Sequence, residues 1–287
     1  MDKNVQELGI NQLTPAQEEF FPLITGILAQ MQSDERNHFA SFVFMAADVY
    51  PFSMVSAIKQ AKFNWECEKG DTLPVDAYRT CLQQAKAYDK ELTQNWSSIL
   101  PITTVFERAV ALMQERCSFQ VGDPEKWNHF VRDITKTMQD AKIETYHDIA
   151  AALNGSSYIL EQDPSWVEFL TYSGLDETTT VIQSHVDSVL QEAALYGCVQ
   201  IDDPGIKFCI SFAQDTLMAM KIQDRADFVN CIITAYKEDD HSIEATLSNA
   251  YNAWRQTHGD ALNDIFQSDL KATNIEDIEM ESYEVDY

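Results

Sequence analysis

The chain has 287 residues and carries 46 Asp and Glu residues against 20 Lys and Arg residues, a formal net charge of −26 at pH 7. A charge of this sign and size repels nucleic acid and anionic membranes and attracts basic surfaces, which argues against direct nucleic-acid binding. Hydrophobic residues make up 45% of the chain, yet no apolar run approaches the roughly 18 residues that span a bilayer. The composition therefore predicts a packed globular protein without a membrane segment.

Helix signals begin with Thr14-Pro15-Ala16-Gln17, which combines an N-cap residue, a proline at the first helical position and a capping glutamine. Apolar residues follow at helical spacing over 20–31. Later in the chain, the same kinds of signal predict helix starts and helical stretches at Ser33, 75–96, Asp123-Pro124, Asp163-Pro164, 179–196, Asp203-Pro204, 206–220 and Ser242. No stretch alternates apolar and polar residues long enough for a sheet, so the predicted fold class is all-α.

Three stretches align without gaps at spacings of 91 and 98 residues, namely 36–40, 127–131 and 225–229. The alignment also superposes apolar positions further along, which are Ile58, Ile149 and Leu247, then Ala61, Ala152 and Ala250, and finally Trp65 and Trp254. It predicts three divergent helical units, residues 1–98, 99–200 and 201–271, packed as a short solenoid or as one bundle-like domain. The alternative is a multi-helix protein without repetition, since amphipathic helices also align by chance.

Residues 272–287 contain six carboxylates and no base after Thr273, and we expect them to form an acidic flexible tail. The six cysteines are scattered and form no C-x-x-C pair, and the N-terminus has neither the basic start nor the apolar core of a signal peptide. These features predict a cytoplasmic protein with reduced thiols, no disulfide framework and no cofactor.

The most distinctive feature is the stretch between Lys142 and Lys207, which contains no Lys or Arg. Carboxylates spaced by three, four or seven residues on helices form rows along one face, and such rows can imitate the charge of a DNA backbone. The predicted partner-binding residues are the eleven carboxylates of this stretch, Glu144, Asp148, Glu161, Asp163, Glu168, Asp176, Glu177, Asp187, Glu192, Asp202 and Asp203. A plain solvated surface that serves solubility is the competing interpretation.

Two E-x-x-H sequences provide the only enzymatic hypothesis, with Glu35 and His38 in the first and Glu144 and His147 in the second. On a helix this spacing puts carboxylate and imidazole on one face, as in di-metal carboxylate proteins. Both motifs lie at predicted helix ends rather than bundle interiors, and the chain offers neither a nucleophile motif nor a glycine-rich phosphate loop. We therefore predict no catalytic residues and no bound metal.

The sequence favours a non-catalytic acidic protein that inhibits or regulates a basic, nucleic-acid-handling protein through a DNA-mimic-like surface. A helical-repeat scaffold for protein–protein interaction is the first alternative, and a di-metal carboxylate enzyme is the second. The partner and the oligomeric state do not follow from the sequence.

Overall fold

The computed structural model describes residues 13–70, 72–116, 178–238 and 242–283, together with the single positions Glu125, Asn128, Arg132 and Lys136. Within these ranges the chain forms eleven helices and no strand, which confirms the predicted all-α class. None of the helices in the described ranges is both long and apolar enough to cross a membrane. In chain order the helices are α1 Pro15–Leu28, α2 Ser33–Val49, α3 Met54–Lys69, α4 Val75–Ser97, α5 Ile102–Arg116, α6 Thr178–Leu195, α7 Pro204–Ser211, α8 Gln214–Ala219, α9 Ile222–Glu238, α10 Ile243–His258 and α11 Asn263–Tyr283.

Two compact units divide the chain, and the first combines residues 1–37 with residues 193–287. In this first unit α1 packs against α8, and Gln223 Nε2 donates a hydrogen bond to Glu19 Oε1 of α1 at 3.3 Å. Its core is formed by α7 to α11 and includes Phe228, Leu247 and Trp254. The second unit comprises residues 38–192, where α3 and α4 pack against each other.

Two segments of the chain build the same local structure 189 residues apart, and we name them the N-terminal segment (residues 14–94) and the C-terminal segment (residues 203–283). Helices α2 and α9 coincide at both ends in this register, as do α3 and α10. Helix α1 matches α7 and α8 together, with the C-terminal counterpart interrupted around Phe212.

The same register holds for the caps of these helices. Thr14 accepts a hydrogen bond from the Gln17 backbone N–H at the start of α1, in the capping box that the sequence predicted, and Asp203 caps α7 at the matching position. Ser53 and Ser242 cap α3 and α10 through their hydroxyl groups. Each of these side chains satisfies N–H groups that a helix leaves without an intrahelical partner, so the starts are encoded locally.

The ends of α3 and α10 also match. Gly70 follows α3 with φ 72° and ψ −171°, and Gly259 follows α10 with φ 82° and ψ −170°. These backbone angles are open almost only to glycine. Two glycines at equivalent positions therefore terminate equivalent helices by the same conformation.

Buried side chains repeat in the same register. The Phe39 ring meets the Trp65 ring edge-on at 5.7 Å, and Phe228 meets Trp254 at 5.9 Å. The Arg36 Nε donates to the Met31 carbonyl at 3.2 Å, and the Arg225 Nε donates to the Met220 carbonyl at 3.4 Å. The aromatic pairs join α2 to α3 and α9 to α10, and we call these two helix pairs the hairpins. The arginines bind a carbonyl group just before each hairpin.

The predicted middle unit, residues 99–200, lies largely outside the described residues. Its single described positions Glu125, Asn128, Arg132 and Lys136 are helical and exposed, as are residues 34, 37, 41 and 45 at the aligned positions of the N-terminal segment. A three-unit solenoid, with boundaries at 98, 200 and 271, stays a prediction, and the compact units are divided differently because they follow packing rather than alignment.

Helix α11 continues into the stretch predicted as a flexible tail. Thr273 is fully buried, and the helix runs to Tyr283. Regular helix therefore occupies part of residues 272–287, and flexibility of this stretch stays a prediction.

Candidate functional site

Seven of the eleven predicted partner-binding carboxylates lie outside the described residues, namely Glu144, Asp148, Glu161, Asp163, Glu168, Asp176 and Glu177. The structure describes the other four, Asp187, Glu192, Asp202 and Asp203, and they fall into two groups with different surroundings.

Asp187 and Glu192 lie on α6. Asp187 is exposed, whereas Glu192 is half-buried with its Oε1 at 3.9 Å from Nη2 of Arg108 on α5. An ion pair that is partly shielded from water is weakened less by salt than an exposed one. Glu192 therefore joins α6 to α5. Of the two carboxylates on α6, Asp187 is the one that faces solvent.

Asp202 and Asp203 precede α7, and both are exposed. Asp203 Oδ1 accepts hydrogen bonds from the Gly205 backbone N–H at 2.8 Å and the Ile206 backbone N–H at 3.3 Å. Its carboxylate thus acts as an N-cap and its negative charge offsets the positive end of the helix dipole. Asp202 makes no ion pair with the described residues and is open to a partner.

The first unit adds exposed carboxylates that the sequence analysis did not assign to a site. This unit contains twenty-four Asp and Glu residues against eight Lys and Arg residues. Counting Asp202 and Asp203, eight of its described carboxylates are exposed and have no ion pair among the described residues, namely Glu18, Asp34, Asp202, Asp203, Asp215, Glu238, Glu244 and Asp264. The acidic surface therefore extends beyond the stretch that lacks Lys and Arg.

The first E-x-x-H sequence forms a different contact from the one expected for a metal site. Glu35 is half-buried near the start of α2. His38 Nε2 lies 3.2 Å from Glu68 Oε2 of α3, and its ring lies 4.8 Å from Phe42 and 5.9 Å from Trp65. Imidazole and carboxylate here link two helices beside the buried tryptophan.

Glu144 and His147 of the second E-x-x-H sequence lie outside the described residues. Among the residues that are described, no three His, Cys, Asp or Glu side chains are grouped closely enough to hold a metal ion.

The C-terminal segment contains the same type of pair with its members exchanged. His258 Nε2 of α10 lies 3.4 Å from Asp227 Oδ2 of α9, and the imidazole stacks on Trp254 at 4.7 Å with parallel planes. Asp227 occupies the position that matches His38. Each hairpin therefore carries one acid–imidazole pair against its tryptophan, which explains His38 as a structural residue of the hairpin.

Two buried carboxylates, Asp89 and Asp269, have helix N-termini as partners. Asp89 of α4 accepts from the Met54 and Val55 backbone N–H groups at the start of α3. Asp269 of α11 accepts from the Thr216 backbone N–H at 2.9 Å and its hydroxyl at 2.6 Å, while burial raises the pKa of its carboxyl. Both groups are satisfied within the fold, so they serve packing rather than chemistry.

Two of the thiols, Cys81 and Cys198, are poor candidates for a nucleophile. Burial raises the pKa of Cys81 to about 12 and that of Cys198 to about 12. The thiolate is the reactive form of cysteine, so these groups are protonated and unreactive near neutral pH.

Comparisons of the chain with protein-family models, with curated proteins and with solved structures found no match.

Proposed function

We propose that this is a non-catalytic binding protein that presents carboxylates to a basic surface of a partner and so inhibits or regulates it. The observation that carries the proposal is the set of exposed carboxylates in the first unit that have no ion pair among the described residues. Unpaired surface charge of one sign costs stability through self-repulsion, which a binding function would offset. A cytoplasmic site of action is part of the proposal, because the described cysteines are free thiols.

The proposed partner is a protein that handles nucleic acid. Duplex DNA presents one negative charge per roughly 1.7 Å of helix axis, and proteins that bind it carry Lys and Arg surfaces suited to such spacing. A folded carboxylate surface would compete with DNA for such a protein, with fast and strongly salt-dependent association.

The test combines an affinity pull-down with charge reversal. Glu161, Glu168, Asp187 and Asp202 are replaced together by Lys, and the bound proteins from host lysate are identified by mass spectrometry at about 0.05 M and about 0.2 M salt. We expect the wild-type protein to retain a nucleic-acid-binding protein at low salt, to release it at higher salt or on addition of duplex DNA, and the variant to retain none.

The matched control reverses four exposed carboxylates that belong neither to the base-poor stretch nor to the first unit, Asp48, Asp76, Glu91 and Glu107, and changes the net charge by the same amount. Retention by the control together with loss in the first variant would assign binding to the base-poor stretch. An equal loss in both would mean that net charge alone steers the partner, and unchanged retention in the first variant would refute the electrostatic proposal.

A helical scaffold is the second candidate, and the two matching segments favour it. The two segments have the same helices but different surface residues. Met45 and Phe63 of the N-terminal segment are 55% and 61% exposed, and the matching residues of the C-terminal segment are Thr234 and Asn252. A scaffold of this kind would hold its partner through such apolar side chains. Replacing Met45 and Phe63 by Ser would then weaken the binding of a salt-resistant partner more than the fourfold charge reversal does.

A further inference from the structure

One face of α4 carries positive charge on this otherwise acidic protein. Val75, Arg79, Gln83, Lys86 and Lys90 are all exposed and are spaced at intervals of four, four, three and four residues. That spacing puts them on a single stripe of the helix, about 22 Å long at 1.5 Å per residue. We name these five residues the α4 stripe.

The positive charge of the α4 stripe is largely uncompensated. Arg79 Nη1 lies 3.3 Å from Asp76 Oδ1, a pair so exposed that it contributes little. Lys86 and Lys90 make no ion pair with any described residue. The opposite face of α4 is buried through Ala77 and Ala85, among others, so the stripe is free to contact another molecule.

Folding does not require these lysines, because the matching helix forms without them. In the C-terminal segment Lys86 corresponds to Ile275 and Lys90 to Glu279, and α11 still runs through both positions. An acidic stretch begins in this end of α11, with six carboxylates and no base between residues 276 and 286 of the sequence. One matching helix therefore carries cations where the other carries acids.

We propose that the α4 stripe of one copy binds the acidic stretch 276–286 of a second copy, which begins within α11. In a twofold dimer this contact forms twice, because each copy offers both the stripe and the acidic stretch. The net charge of −26 opposes association, but salt screens charges separated by more than about 8 Å under physiological conditions, so the local contact decides.

The test is a charge exchange measured by sedimentation equilibrium of the full chain at about 0.15 M salt. Lys86→Glu with Lys90→Glu should weaken the dimer by at least tenfold, and so should Asp277→Lys with Glu281→Lys on the other side. Combining all four substitutions should restore the dimer, because the two surfaces are then exchanged. Circular dichroism of each variant checks that the helices are intact, and the milder pair Lys86→Gln with Lys90→Gln replaces the reversal if they are not.

The control reverses two other exposed lysines, Lys221 and Lys237 of the first unit, and should leave the dimer unchanged. A wild-type protein that stays monomeric at all concentrations overturns the proposal, as does a fourfold variant that fails to recover. Equal weakening by the control would show a net-charge effect and would also overturn it. Binding of a short DNA duplex that is lost in the Lys86 and Lys90 variant would assign the stripe to nucleic acid instead. None of these outcomes bears on the basic partner proposed above.

Discussion

The N-terminal and C-terminal segments keep one framework and differ in what they expose. In the N-terminal segment, residues 54–94 contain six Lys and Arg and six Asp and Glu, whereas the matching residues 243–283 contain two and eight. Exposed Val75 corresponds to exposed Asp264, while Phe39 and Phe228 are both fully buried. The comparison teaches that buried contacts and caps specify these helices, and that the exterior is free to acquire separate binding chemistries.

The largest expected effect comes from emptying the equivalent core positions. Phe39→Ala and Phe228→Ala each remove a fully buried ring and leave a cavity, which costs about 3–5 kcal/mol in the free energy of unfolding. Urea unfolding followed by circular dichroism checks both values, with two transitions analysed separately if the units unfold independently.

Phe63→Ala is the control for these core variants, since Phe63 is 61% exposed and its loss should change stability by no more than about 0.5 kcal/mol. If one core variant costs several kcal/mol and the other almost nothing, the two positions are not equivalent.

The glycines that end α3 and α10 provide the next test. Gly70→Ala and Gly259→Ala each place a side chain in a glycine-only conformation and should cost about 1–3 kcal/mol. No atom lies within 4 Å of the added carbon at either site, so the backbone conformation alone sets the cost.

Thermal and urea unfolding measure these costs. Gly26→Ala in α1 is the matched control because its backbone is helical and the added carbon again meets nothing within 4 Å. It should stabilise the protein by up to about 1 kcal/mol. A neutral effect of both Gly70→Ala and Gly259→Ala would contradict the shared termination.

Short-range sequence signals predicted the helices and their caps better than they predicted the surroundings of the candidate binding residues. The caps at Thr14, Asp203 and Ser242 follow from a few neighbouring residues, and the aligned Trp65 and Trp254 are both buried. These features were therefore open to prediction from the sequence.

Contacts between helices were not predictable in this way. The approach of Glu68 to His38 depends on how α2 and α3 pack, and so does the ion pair of Glu192 with Arg108. Asp203 shows a second reason why the site was hard to predict. Its place in the sequence fits both an N-cap and a row of partner-binding carboxylates, and the backbone hydrogen bonds that it accepts identify it as an N-cap.

The smallest expected effect concerns a polar contact that the two segments do not share. Trp65 Nε1 donates to Thr72 Oγ1 at 2.9 Å. Trp254 Nε1 is buried and has no acceptor among the described residues, and Ala261 occupies the position that matches Thr72. Thr72→Ala should therefore cost about 1 kcal/mol, and Ala261→Thr should gain a similar amount.

Urea unfolding detects both changes, and Thr72→Ser should behave like wild type because it keeps the hydroxyl. Lack of any gain in Ala261→Thr would mean that the two turns differ in more than this side chain.

The composition of the first compact unit has a consequence for synthesis on the ribosome. Helix α1 emerges early, but its partners α8 and α9 are encoded more than 170 residues later. At about 5–20 residues per second the apolar face of α1, with Phe20 and Ile24, waits roughly 10–50 s before it can be covered. The nascent chain is thus exposed to misassociation in that interval, and a chaperone that holds this helix would raise the yield of folded protein.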